Sequence, residues 1–365
     1  MSQGRSVAVM LIALACSFVA RAQIVVAWGN NSSGQCAVPA GLSGVTQVSA
    51  GNAHTLALRI DGTVVAWGSN SAGQCAVPIG LKGVVQVAAG GAHTVALRSD
   101  GTVVAWGSNT YGQCSVPPNL VGVRQVAAGY GHTLAISADY TIAGWGWNAY
   151  GQVVYPGATV AGRQVAAGNF HSVVVAWAPP NPNDWGMFDA WGSNKKGQGS
   201  GWFYWQQLHC IRVSAGVYHS LMLVDDGTVR ACGDNSYGQA TVPTGLTGVV
   251  EIAAGGYHNI ALNSNGSIVL WGDNRYGQRV APSGLTGISG IAAGGAHSVV
   301  IANTCPYAAA DLDQNGRVEA SDISLLLLDF GLCQGCASDL DGSGEVDAGD
   351  ISALLLEVGD FFCSN

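Results

Sequence analysis

The chain has 365 residues, of which 53 are glycine, 48% are hydrophobic and only 10% are charged. This composition excludes a coiled coil and a highly charged disordered chain. The net charge of −8 divides unevenly: residues 24–304 carry 11 Lys/Arg against 10 Asp/Glu, and residues 305–365 carry 1 against 12. A near-neutral body offers no basic footprint for nucleic acid.

At the N-terminus, Arg5 precedes an apolar run from Val7 to Val19 and a small-x-small site at Ala20-Arg21-Ala22. This pattern predicts a signal peptide over 1–22, and the run is short for a bilayer span. From Ile24 two landmarks recur seven times. One is Ala-Trp-Gly, with Trp28, Trp67, Trp106, Trp145, Trp191 and Trp271, and Cys232-Gly233 in the same slot. The other is Ala-Gly-x-x-His, ending at His54, His93, His132, His171, His219, His258 and His297. The Trp-slot spacings are 39, 39, 39, 46, 41 and 39 residues. A period near 40 rich in Gly and Val means short strands repeated radially or as a solenoid.

One unit reads as Val84–Ala88, His93–Leu97 and Val103–Trp106, joined by Gly90-Gly91 and the Asp100-Gly101 hairpin signal, with Cys114–Pro117 as a fourth, edge strand. Four strands per unit is a propeller blade. The last unit stops at Ile301 without its own Trp strand, while Ile24–Trp28 precedes the first unit unpartnered. The N-terminal strand is therefore expected to complete the last blade and close the ring, which hides two sheet edges.

The seven repeat histidines read as turn-end residues bonded to backbone within each blade, because a metal or proton site rarely occurs once per repeat. The Trp slot reads as steric inter-blade packing, since Cys232 replaces one copy. Cys36, Cys75 and Cys114 share one slot in successive units, too far apart to bridge, and are expected to be small buried residues. Cys210 and Cys232 are expected to be unpaired, with a strand between them.

The fourth blade breaks the period. His171 and Trp191 are 20 residues apart where His54 and Trp67 are 13 apart, and the hairpin becomes Ala178-Pro179-Pro180-Asn181-Pro182-Asn183-Asp184-Trp185. After it, Gly201-Trp202-Phe203-Tyr204-Trp205 replaces the usual Cys-Ala-Val-Pro. Alternating strands send both insertions to one rim. Trp185, Trp202, Phe203, Tyr204 and Trp205 are the candidate partner-binding residues. The competing reading is that they plug a degenerate blade.

From Asp311 the composition changes. Asp311, Asp313, Asn315, Glu319 and Asp322, with Gly316, are followed by the helix-like run Ile323–Leu328. The pattern returns as Asp339, Asp341, Ser343, Asp347 and Asp350, with Gly344. Oxygen ligands at loop positions 1, 3, 5 and 12 around a glycine at 6 suit Ca²⁺, with backbone carbonyls of Arg317 and Glu345 at position 7. Two calcium ions are expected.

The landmarks A-W-G, G-Q and A-A-G-x-x-H-T-x-A-L resemble the repeats of the regulator of chromosome condensation family over roughly Ile24 to Ala302. That resemblance implies a seven-bladed propeller, and the short units look most like the secreted bacterial branch that includes a β-lactamase inhibitor protein. The tail resembles a type I dockerin, a small α-helical calcium domain that binds cohesin. The family's recognition positions fall on Ala320-Ser321 and Ala348-Gly349, where a hydroxyl pair is common. Its pseudo-symmetry implies Cys305–Cys363 with Cys333–Cys336; the alternative brackets each calcium hand separately, Cys305–Cys333 with Cys336–Cys363.

The expected protein is an all-β seven-bladed propeller over 23–303, with a dockerin-like domain over 304–365. It is exported, bacterial and non-catalytic. The propeller recognises a protein or cell-surface target, and the tail attaches it to a cohesin-like scaffold or envelope partner. The alternatives are an inhibitor of an extracellular enzyme, such as a β-lactamase or penicillin-binding enzyme, and a polysaccharide-degrading enzyme of a dockerin-bearing complex.

Overall fold

The computed structural model describes residues 23–157, 161–177, 186–200 and 208–303, together with the backbone of 331–332 and 345–346. Each repeat forms a three-stranded antiparallel sheet in inner, middle, outer order. Blade one comprises β2 (Val45–Ala50), β3 (His54–Arg59) and β4 (Val64–Gly68). Blade two is β5 (Val84–Ala89), β6 (His93–Arg98) and β7 (Val103–Gly107). Blade three is β8 (Val123–Ala128), β9 (His132–Ser137) and β10 (Ile142–Gly146). The irregular fourth blade keeps the pattern in β11 (Ala161–Ala167), β12 (His171–Trp177) and β13 (Met187–Gly192). Blade five is β14 (Cys210–Ala215), β15 (His219–Val224) and β16 (Val229–Gly233). Blade six is β17 (Val249–Ala254), β18 (His258–Asn263) and β19 (Ile268–Gly272).

The seventh sheet joins the two ends of the repeat array. Its strands are β20 (Ile288–Ala293), β21 (His297–Asn303) and, as outer strand, β1 (Gln23–Gly29). Trp28 Nε1 donates to Gln278 O at 3.0 Å and Asn30 N to Ala296 O at 2.9 Å, the bonds that Trp67 and Ser69 make in blade one. The expected closure by the N-terminal strand is therefore present. A separate two-residue ladder pairs β22 (Gly331–Leu332) with β23 (Glu345–Val346).

Among the described residues the predicted fourth strand is not formed. In the slot after β7, Cys114 N donates to Asn109 Oδ1, Ser115 N to Gly112 O and Val116 N to Cys114 O. These donors are spent on tight turns, so none is left for a ladder with β7.

The core lies between blades. Leu56 and Leu58 of β3 pack with Val84, Val87, Ala96 and Trp106 of blade two. The same layer recurs where Leu97 meets Val123 and Val126, and where Val45 and Trp67 meet Val299 and Ile301. A middle strand is covered on both sides, and His54 through Leu58 are all buried. A strand buried on two faces reads as a continuous run rather than an alternation.

Candidate functional site

The repeat histidines bond between blades, not within them. His54 Nε2 lies 3.2 Å from Thr94 Oγ1, forty residues on, and Thr94 Oγ1 donates to Gln74 O at 2.8 Å. That hydroxyl proton is committed, so His54 must donate its Nε2–H to it. The relation repeats from His93 to Thr133, His132 to Ser172, His171 to Ser220, His219 to Asn259 and His258 to Ser298. It closes from His297 to Thr55 at 3.0 Å. Burial without a carboxylate partner pushes these rings far below the usual imidazole value, to about 4 for His54 and His132 and about 3 for His171 and His297. They are neutral structural donors near pH 7.

The motif's glycine follows from the same geometry. A Cβ on Gly90 would lie 2.6 Å from His93 Nδ1 and 2.6 Å from Gly129 O of the next blade, so no larger residue fits. These glycines, with the alanines before them, line a narrow axial channel of about 70 Å³.

The Trp slot is chemical as well as steric, which corrects the expectation. Trp67, Trp106, Trp145 and Trp271 each donate Nε1–H to the carbonyl of a buried glutamine, at 2.9–3.1 Å. Cys232 keeps the bond with a thiol: its Sγ lies 3.1 Å from Gln198 O. Cys36, Cys75 and Cys114 are half-buried rather than buried, and each thiol donates to a carbonyl six residues back at 3.1–3.3 Å. These three and Cys210 form no disulfide.

This frame holds one face in place. Ser69 N donates to Ala53 O, Ser108 N to Ala92 O and Trp147 N to Gly131 O, each at 2.8 Å. The turn after each outer strand is thereby tied to the Ala-Gly-x-x-His loop beside it. Each turn is fixed internally by an asparagine and a glutamine: Asn109 Oδ1 accepts from Cys114 N, and Gln113 Oε1 from Tyr111 N at 2.8 Å. Gly112 at φ +82° reverses the chain. The two residues at each tip and the two between Gly and His are left free to vary.

In successive blades those free positions become aromatic, and the slot of Ser69 and Ser108 becomes Trp147. Tyr111 stacks on Trp147 with ring centroids 5.4 Å apart, and Tyr130 meets the same indole edge-on at 6.3 Å. Phe170 contacts Trp147 at 5.5 Å and Tyr150 at 5.9 Å, and stacks on Tyr218 at 4.9 Å. Beyond them Tyr237 packs on Tyr257 at 5.4 Å. Tyr111, Tyr130 and Tyr150 remain 48%, 42% and 38% exposed. A pocket of about 260 Å³, lined by Asn52, Gly91, Ala92, Ser108, Thr110, Tyr111, Gln113 and Tyr130, opens beside them. Lys195 Nζ lies 5.0 Å above the Tyr150 ring and Arg275 lies 4.3 Å above Tyr237.

The residues expected to bind a partner, Trp185, Trp202, Phe203, Tyr204 and Trp205, lie outside the described residues. So do Asp311, Asp313, Asn315, Arg317, Glu319, Asp322, Asp339, Asp341, Ser343, Asp347 and Asp350. Of Glu345 the backbone alone is described, paired with Leu332. The aromatic face lies in repeats of regular length, so broken periodicity does not point to it. The signal was present in variation at the tips of intact repeats, where Thr110-Tyr111, Ala149-Tyr150 and Ser236-Tyr237 replace Ser32-Ser33.

The described carboxylates serve local structure. Asp61 Oδ1 accepts from Thr63 N and Oγ1 at 2.9 and 2.6 Å, and Asp100, Asp139 and Asp226 repeat the arrangement. These hydrogen bonds hold their carboxyls below the usual range. Asp189 accepts from Tyr155 OH at 3.0 Å, and burial raises both groups above their usual values.

The profile of the regulator of chromosome condensation (RCC1) repeat matches residues 45–74, 84–113, 123–152, 210–239 and 249–278. This chain carries RCC1 repeats. The matched segments are blades one, two, three, five and six, each from inner strand to buried glutamine. The blade with the long insertions and the blade built from both ends are the two unmatched. Among solved structures the chain is similar to Prp20p of Saccharomyces cerevisiae at 18% identity, covering 78% of this chain and 92% of that one, with a TM-score of 0.64. Human WBSCR16 aligns at 19% identity over 78% and 100%, with a TM-score of 0.63. The CRINKLY WD40 ectodomain of the Arabidopsis thaliana receptor kinase ACR4 aligns at 21% over 68% and 86%, with a TM-score of 0.53. At these identities the likeness establishes the RCC1-like propeller fold. Comparison with curated proteins finds no match.

Proposed function

We propose that this chain is a non-catalytic binding protein whose RCC1-like propeller recognises a protein partner through its aromatic face. The observation that carries this reading is the make-up of that face: tyrosines around Trp147, set among Ser, Asn and Gly turns, with Arg275 at one side. Antibody combining sites have this composition, because Tyr and Trp offer large rigid contact area and Ser, Asn and Gly supply adaptable hydrogen bonds. The turns are already fixed by their own Asn and Gln side chains, so little ordering entropy opposes binding. Yeast Prp20p is itself described with binding properties towards Gsp1p and histones. The analogy extends to propellers as protein-binding scaffolds and not to those partners.

On sequence pattern alone, the same proposal assigns residues 1–22 to export and 304–365 to a dockerin-like module that binds two Ca²⁺ and docks on a cohesin-like or envelope partner. Lysine cross-linking of the full chain in native secreted extract tests the propeller's part. The described propeller has three lysines. Lys195 and Lys196 stand in a turn of the aromatic face, and Lys82 lies at the opposite, hairpin face, beside Arg98. Cross-links to a protein at Lys195 and Lys196 support the reading. Cross-links confined to Lys82 would overturn it.

A further inference from the structure

The charges on the aromatic face are sorted by sign. Its turns and loops hold two carboxylates, Asp234 and Asp273, and both are turned inward. Asp273 Oδ2 lies 3.0 Å from Arg275 Nη2 with 4% of its side chain exposed, whereas Arg275 is 56% exposed. Asp234 accepts from Gln239 Nε2 at 2.9 Å and lies 3.8 Å from Lys196 Nζ, with exposures of 10% for the acid and 53% for the lysine. Lys195 is exposed above Tyr150 and has no carboxylate partner among the described residues. The carboxylates hold turns together while the cations project.

The other half of the face is uncharged. The pocket beside Tyr111 and Tyr130 has walls of ring, amide and hydroxyl, and no acid or base lines it. The face therefore divides into an uncharged aromatic pocket and a cationic shoulder. A complementary surface places an apolar or aromatic side chain in the first and carboxylates against the second.

We propose that the partner is an acidic protein surface, whose uncharged anchor enters the Tyr111–Tyr130 pocket and whose Asp or Glu side chains meet Lys195, Lys196 and Arg275. This rests on the reading of the aromatic face as a protein-binding surface, and it names the partner's chemistry. A basic partner would meet the exposed cations first, because the carboxylates beside Arg275 and Lys196 are turned inward. A neutral polysaccharide would leave the shoulder unmatched.

The test is selection of a random linear peptide display library on the immobilised full chain. Selected peptides are then measured by fluorescence anisotropy, alongside their Glu→Gln and Asp→Asn versions. Enriched sequences should pair an aromatic or leucine residue with several carboxylates. Their affinity should fall about tenfold on amide substitution, on raising salt from about 0.01 M to about 1 M, and on the Lys195→Glu/Lys196→Glu double substitution. Both lysines are exposed, so that variant should keep its fold, checked by circular dichroism. Peptides that lack acids and ignore the charge reversal, yet are lost on Trp147→Ala, would overturn the acidic partner and leave the protein-binding face standing. Peptides indifferent to Trp147→Ala as well, no enrichment over bare matrix, or saturable binding of a neutral hexasaccharide in place of peptide would each overturn the inference.

Discussion

Thr94→Val removes one hydroxyl from the inter-blade belt at nearly constant volume. Thr94 is fully buried, accepts from His54 Nε2 and donates to Gln74 O. After substitution Gln74 O still has the Trp106 indole at 3.0 Å, but His54 is left with both ring nitrogens unpartnered. Stranding a buried N–H costs about 1–3 kcal/mol, and losing the hydroxyl-to-carbonyl bond about 1 more, so the variant should be destabilised by about 2–4 kcal/mol. Thr94→Ser keeps both hydrogen bonds, as Ser172, Ser220 and Ser298 do in the same slot. It loses one buried methyl, worth about 1 kcal/mol. Urea unfolding followed by tryptophan fluorescence should rank wild type above Thr94→Ser and Thr94→Ser above Thr94→Val. A valine variant as stable as the serine one would refute the belt, since plain apolar packing favours valine.

Three further outcomes follow. The seven repeat histidines have folded pKa values near 3 to 4 against about 6.5 when unfolded. Their contribution is complete above pH 6.5 and is lost as pH falls towards 4, by up to about 1.4 kcal/mol per pH unit for each ring; a melting temperature flat between pH 7 and 4 would contradict this. Trp106→Phe removes the indole donor to Gln74 O together with part of a buried ring and should cost about 1–3 kcal/mol in the same urea assay; a variant as stable as wild type would contradict the bond. Titration of the full chain with Ca²⁺ should give two binding events by calorimetry, both abolished by Asp313→Ala with Asp341→Ala; unchanged heats in that variant would remove the calcium assignment.

The blade count, the strand positions and the closing N-terminal strand were legible because each leaves a one-dimensional trace: a repeated landmark, an Asp-Gly turn, an unpartnered Val-Val-Ala-Trp. What the sequence hides is anything set by blade-to-blade contact. The partner of His54 is Thr94, the residue after the equivalent histidine of the next repeat, and no local pattern distinguishes that from a bond within the blade. The Trp slot looked steric because Cys232 shares no shape with tryptophan, yet both present a donor to the glutamine carbonyl. The fourth strand failed because Cys114 to Val116 have strand-like residues whose N–H groups Asn109 and local turns already claim. The aromatic face is assembled from single residues about forty apart, so it becomes visible only once the blades are set around their axis.

The central claim is that Trp147 and its neighbours bind while the belt beneath them holds the fold. The direct measurement is affinity for the cross-linked partner together with melting temperature, on Trp147→Ala, Tyr150→Ala and, for comparison, Trp185→Ala and Trp202→Ala. The account predicts a loss of about 2 kcal/mol or more in binding at Trp147 and Tyr150, the range of interface anchors, with melting temperatures close to wild type. Binding lost at Trp185 or Trp202 but retained at Trp147 would contradict it and move the site to the irregular blade.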